Sequence, residues 1–122
     1  TIYMSSINNL PLYRSVYKLL IYLYSLVSNF KKEYKYTLGQ SITDCIWEVL
    51  DSVIIANTLP NLKKKEYILK ASNHFDMLKT RIRVAYELKL IDNRRYTFIV
   101  NQFEEIGKML SGWYKWSTKA PN

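Results

Sequence analysis

Apolar residues recur along this chain at steps of three and four, the spacing that keeps one face of a helix greasy. Between Pro11 and Phe30 they fall at Val16, Leu19, Leu20, Leu23, Leu26, Val27 and Phe30. Tyr13, Tyr17 and Tyr24 mark a second, amphipathic stripe beside the first. The charged stretch NFKKEYK then stops the pattern. From Tyr36 to Asn57 two stripes run together: Leu38, Ile42, Cys45, Val49, Ser52 and Ala56, then Ile46, Leu50, Val53 and Ile54. NTLPN reads as a loop by its Pro and Asn content.

A third segment, Leu62 to Leu90, carries Ala71, Phe75, Leu78, Ile82 and Ala85 on one stripe. Asp92 fits an N-cap, accepting a hydrogen bond from a free amide of the first turn. After it Tyr96, Ile99, Phe103, Ile106, Leu110 and Trp113 alternate by three and four. The pattern predicts helices over about 11–30, 36–57, 62–90 and 92–117, in one domain spanning 1–122. Short connections make neighbouring helices antiparallel, so the fold class is all-α, an up-down four-helix bundle. The second stripes on the first two helices exceed what four inward faces require. They predict burial against another copy of the chain.

Composition sharpens the picture. With 48 % hydrophobic residues, three glycines and three prolines in 122 residues, the chain is globular and poor in the turn pairs a β-meander needs. The longest apolar run, Leu19 to Val27, is far shorter than the ~20 residues of a membrane span. The Arg14 and Lys18 before it imitate a signal peptide, but no small-x-small cleavage site follows. The single cysteine, Cys45, has no internal disulfide partner and sits in an apolar pattern, which suits a core side chain in a reducing, cytoplasmic setting. No membrane partner is expected.

Catalytic chemistry finds little purchase. Gly107 and Lys108 are followed by Met109 rather than Ser or Thr, at the end of a helix, so a phosphate loop is not expected. Packing accounts for the segment instead: Gly107 permits a close helix approach, Gly112 lies near a helix end, and Trp113 continues the core stripe. Trp116 divides evenly between core and contact with bases or phosphates. The only histidine, His74, and Asp76 point to different sides of a helix, and no zinc spacing occurs. Asp44, Glu48 and Asp51 share a face and can be read as a site for a divalent ion; a solvated or salt-bridged face is the stronger reading. The expectation is a non-enzyme with no cofactor, metal or small-molecule substrate.

Charge points to partners. Eighteen Lys and Arg against ten Asp and Glu give +8, which favours polyanions. The candidate contacts are Lys63, Lys64 and Lys65 at the start of the third helix, Lys79, Arg81 and Arg83 along it, and Arg94 and Arg95 at the last turn. With no base-reading motif, this set suits phosphate backbones.

Three stretches carry a resemblance: YTLGQSI (Tyr36 to Ile42), RIRVAYELKLID (Arg81 to Asp92) and FEEIGKMLSGWYK (Phe103 to Lys115). They resemble the accessory variability determinant (Avd) proteins of diversity-generating retroelements, from about Leu12 to Lys119. One departure is Lys31, where a proline often follows the phenylalanine in that family. The resemblance implies a bacterial or phage-encoded four-helix bundle assembled as a homopentameric ring with a basic surface. It implies a non-enzymatic partner of the element's reverse transcriptase that, with template RNA, supports adenine-mutagenic cDNA synthesis (mutagenic retrohoming). The bundle proteins encoded in intervening sequences of bacterial large-subunit ribosomal RNA genes are similar too. They supply an alternative: a structural, RNA-associated homo-oligomer. The Tyr-Thr-Leu-Gly-Gln segment and the terminal Gly-Trp incline to the Avd side.

Overall fold

The computed structural model describes residues 7–120. Four long helices and one single turn follow one another: α1 (Pro11–Ser28), α2 (Lys32–Lys35), α3 (Leu38–Thr58), α4 (Asn61–Glu87) and α5 (Asn93–Lys119). No strand occurs among the described residues. The long helices pack around a square, α1 on α3, α3 on α4, α4 on α5 and α5 on α1. Pairs of touching residues fix the directions. Trp47 of α3 bonds Tyr24 of α1, Lys65 near the start of α4 reaches Tyr114 near the end of α5, and Tyr22 of α1 lies against Phe98 of α5. Gly39 in the first turn of α3 lies against Val27 at the end of α1, and Lys64 at the start of α4 bonds Ala56 near the end of α3. Each adjacent pair is therefore antiparallel, and the bundle runs up-down-up-down. No helix among the described residues is long and apolar enough to cross a membrane.

The helix ends have local causes. Pro11 stands at the first position of α1, where its missing N–H costs nothing. The helix stops at Ser28, two residues before the apolar pattern ends, because the Ser28 hydroxyl and the Asn29 amide both donate to the Ser25 carbonyl and compete with the backbone. Phe30 still turns inward and is buried. Pro60 forces Leu59 into an extended conformation and ends α3. α4 ends three residues before the pattern does, in a left-handed turn. Lys89 takes φ 63°, its N–H bonds Tyr86 O, and the Leu90 N–H bonds Ala85 O. Asp92 caps α5, accepting from the Arg95 N–H at 2.8 Å.

The core is continuous through all four helices and includes Val16, Leu23, Ile42, Ile46, Val49, Leu78, Ile82, Ile99 and Ile106. Both apolar stripes of α3 are spent inside the chain. α3 lies between α1 and α4, so Ile46, Leu50 and Val53 are buried along with Cys45, Val49 and Ala56. This corrects the expectation that both helices carry surplus stripes: on α3 the surplus shrinks to Trp47, Ile55 and the half-buried Ile54. On α1 it persists, and Tyr17, Ile21 and Tyr24 stay about half exposed.

The C-terminal glycines also differ from the sequence reading. A Cβ at Gly107 would meet only Phe75, at an ordinary 3.6 Å, so no close approach requires glycine there. Gly112 is not near a helix end, since α5 continues to Lys119, and a Cβ there would meet nothing within 4 Å. Glycine inside an exposed helix costs conformational entropy with nothing to offset it. Gly112→Ala is accordingly expected to raise unfolding free energy by about 0.5–1 kcal/mol, read from the denaturant midpoint. Trp113 is half-buried against the core, whereas Trp116 is 45 % exposed.

Candidate nucleic-acid interface

The eight candidate cations do not gather into one patch. α4 carries six of them, and Lys63 and Arg83 are separated by about 30 Å of helix axis. Lys79 and Arg83 face α5, lining a hollow with Tyr96, Val100, Phe103, Glu104 and Gly107. Lys65 lies on the same seam, its Nζ 5.8 Å from the centre of the Tyr114 ring. Arg81 faces the other way, half-buried in the α3–α4 seam with Ser41, Asp44, Cys45, Glu48 and His74. Arg94 and Arg95 open α5 at the opposite end of the bundle from Lys63 to Lys65.

Several of these cations already have partners. Lys79 Nζ is 3.1 Å from Asp76 and lies over the Phe75 ring. Arg83 Nε donates to Glu87 at 2.9 Å, and the Arg95 guanidinium pairs with Asp92. These are exposed pairs within one helix turn; those of Lys79 and Arg83 are each worth about a few tenths of a kcal/mol, a level at which a phosphate can displace the carboxylate. The Arg95 N–H, followed by the Arg95 charge, holds the Asp92 carboxyl below the ordinary aspartate range. The stability this brings is present above the ordinary value and is lost as pH falls through the lowered one.

Lys64 belongs to the fold. Its ammonium donates to the carbonyls of Ala56 at 2.8 Å and Asn57 at 3.2 Å, the last turn of α3, where unpaired carbonyls attract a cation. Burial lowers its pKa from the ordinary lysine value. Lys64→Met is expected to lower stability by about 1 kcal/mol, whereas Lys63→Met, at an exposed neighbour with no such contact, changes it by under about 0.5 kcal/mol. Thermal unfolding of the two variants checks this.

The acidic row is dispersed among local contacts. Asp44 accepts from the Gln40 amide at 2.8 Å, and Glu48 lies 3.9 Å from His74 Nε2. Among the described residues no group of three His, Cys, Asp or Glu is arranged to hold a metal ion. The Cys45 thiol donates to the His74 carbonyl, not to its ring, at 3.1 Å. Burial pushes the thiol pKa up, with Arg81 opposing, so the thiolate is scarce at neutral pH.

The sequence places Lys108 and Lys115 beside tryptophans, but the candidate contacts left out both of them and Lys119. Their signal was spacing: i, i+7 and i+11 put three cations on one face of α5, in a stretch without an acid from Ile106 to Lys119. All three are exposed.

What the molecule presents is a four-helix bundle of net charge +8 with cations and aromatic rings on its outside. The chain matches the family model described as bAvd-like over residues 11–117 and belongs to that family. A comparison with curated proteins gives no match.

Proposed function

We propose that this bAvd-like chain is a non-enzymatic accessory protein of a diversity-generating retroelement. It assembles as a homopentameric ring in the bacterial cytoplasm, docks the element's reverse transcriptase, and holds template RNA or cDNA by its cations. In that complex it supports mutagenic reverse transcription. Beyond the family membership, one observation carries the reading. Of eighteen Lys and Arg, all among the described residues, three are in ion pairs, which leaves fifteen without a carboxylate. Charge so far in excess of internal need is what a polyanion partner neutralises.

Assembly rests on two apolar exposures on diagonally opposite helices. On α1, Tyr17, Ile21 and Tyr24 form a ridge, extended by Trp47 of α3, whose indole N–H donates to the Tyr24 hydroxyl at 2.8 Å. On α4, Leu62, Leu69, Met77 and Val84, with Leu88 at its C-cap, are all exposed along one outer stripe. A closed ring of five needs head-to-tail contacts between two different surfaces. The α1 ridge of one protomer against the α4 stripe of the next satisfies that requirement.

The test is copurification of the full chain with a retroelement reverse transcriptase and its template RNA. The expected result is a ternary complex whose RNA affinity falls steeply with salt and whose cDNA carries substitutions at template adenines. Failure of the chain to be retained by either partner contradicts the proposal.

A further inference from the structure

We infer that the outer face of the C-terminal half of α5 is the seat of an unpaired RNA strand. The inference rests on the nucleic-acid reading above and specifies its site. Lys108, Lys115 and Lys119 lie in one line, with axial separations of about 10 and 6 Å. All three are exposed and free of ion pairs. From Ile106 to Lys119 the sequence holds no Asp or Glu. The α4–α5 hollow is different: its Lys79 and Arg83 are balanced by Asp76 and Glu104. Glu104 and Glu105 stand one turn before Lys108 without pairing with it, and beyond them the α5 line is a positive stripe with no acid of its own.

Two further features give the stripe its shape. Between Lys108 and Lys115 stand Ser111 and Gly112, and Gly112 faces open space inside a continuous helix. The fold gains nothing from glycine there. What it provides is a flat stretch on which a phosphodiester backbone can approach the helix closely. Trp116, 45 % exposed, sits between Lys115 and Lys119 in sequence and offers a ring on which a base can stack. Stacking requires an unpaired base, so a single strand fits and a duplex does not. Lys65 of α4, over the Tyr114 ring, extends the positive surface across the seam. Tryptophan with lysine also suits a lipid interface. Here the line itself is lysine, serine and glycine, and one exposed ring is too little apolar surface to anchor a helix in lipid.

The test uses the full chain and a labelled, unpaired RNA of about 20 nucleotides, followed by fluorescence anisotropy over a salt series. Further arms hold DNA of the same sequence, the RNA duplex, and vesicles of phosphatidylcholine with phosphatidylserine. The triple variant K108Q/K115Q/K119Q is expected to weaken RNA binding by at least roughly tenfold and to flatten the log–log salt slope by about 2, near 0.7 per lost contact. Trp116→Ala is expected to weaken binding roughly tenfold with the slope unchanged. Gly112→Glu keeps every lysine, places a carboxylate in the line, and is expected to weaken binding as well. These are exposed positions, and circular dichroism verifies that each variant folds. A triple variant that binds as the unsubstituted chain does, with the same slope, overturns this site while leaving the broader reading standing. Tighter binding of the duplex, the DNA or the vesicles than of unpaired RNA also overturns it. Absence of RNA binding by the unsubstituted chain sinks both.

Discussion

Replacing Gly39 by valine is expected to destabilise the protein by about 3 kcal/mol. Gly39 is buried in the first turn of α3, where that helix meets the end of α1 and the α2 turn. A Cβ there would lie 2.6 Å from Val27 Cγ1 and 3.2 Å from the Tyr34 carbonyl oxygen. Neither neighbour can yield cheaply. Val27 is β-branched and buried, with a stiff χ1, and the carbonyl is backbone. Alanine recovers about 1 kcal/mol of helix propensity at this position, so Gly39→Ala is expected to cost less than valine but still to destabilise. The contrast is Gly112→Ala, the same chemical change with the opposite sign, because nothing stands near its Cβ. Denaturant unfolding of the variants decides the matter: an unchanged midpoint for Gly39→Val would mean that α1 and α3 are not held together at this crossing.

The second large effect is on assembly. Ile21→Glu with Tyr24→Glu on the α1 ridge is expected to reduce the proposed ring to single chains, and Met77→Glu with Val84→Glu on the α4 stripe is expected to do the same. Burying an unpaired carboxylate in an apolar contact costs several kcal/mol, and about 1.4 kcal/mol is a factor of ten in affinity. All four side chains are 42–54 % exposed in the protomer, so the fold itself tolerates the changes. Mixing the two variants gives the discriminating result. In a head-to-tail ring, each pair keeps one intact contact, so the mixture is expected to form a heterodimer of about 29 kDa, twice the 14.5 kDa chain. If each surface instead contacted its own kind, the mixture would behave differently: homodimers or no association, but no new species from mixing.

Much of the bundle was legible because helix periodicity is a local signal. The three-four spacing of Tyr96, Ile99, Phe103, Ile106 and Leu110 predicts the inner face of α5, and Ile99, Phe103, Ile106 and Leu110 are buried. Asp92 could be read as a cap because capping residues have a strong preference, and it caps. What the sequence hid depended on neighbours distant along the chain. Nothing local marks Gly39 as the point where Val27 presses on α3. The end of α4 escaped notice because Lys89, rather than a glycine, occupies the left-handed position. The second stripe of α3 seemed to face outward only because α1 was not yet in place beside it.

The candidate interface was less legible, for the same reason. Lys63, Lys64 and Lys65 look alike in sequence, yet one caps α3, one lies on an aromatic ring across the α4–α5 seam, and one is simply exposed. Arg81 and Arg83 are two apart, and so fall on opposite seams of α4. Clustering in sequence drew attention to them. Lys108, Lys115 and Lys119, spaced by seven and four, make the more coherent line in space.

The central claim is that this bundle works as an assembly rather than alone. Its most direct test is the mass of the unsubstituted 122-residue chain by multi-angle light scattering across a range of concentrations. The account predicts about 72 kDa, five times the 14.5 kDa chain. A mass of one chain at every concentration would contradict it.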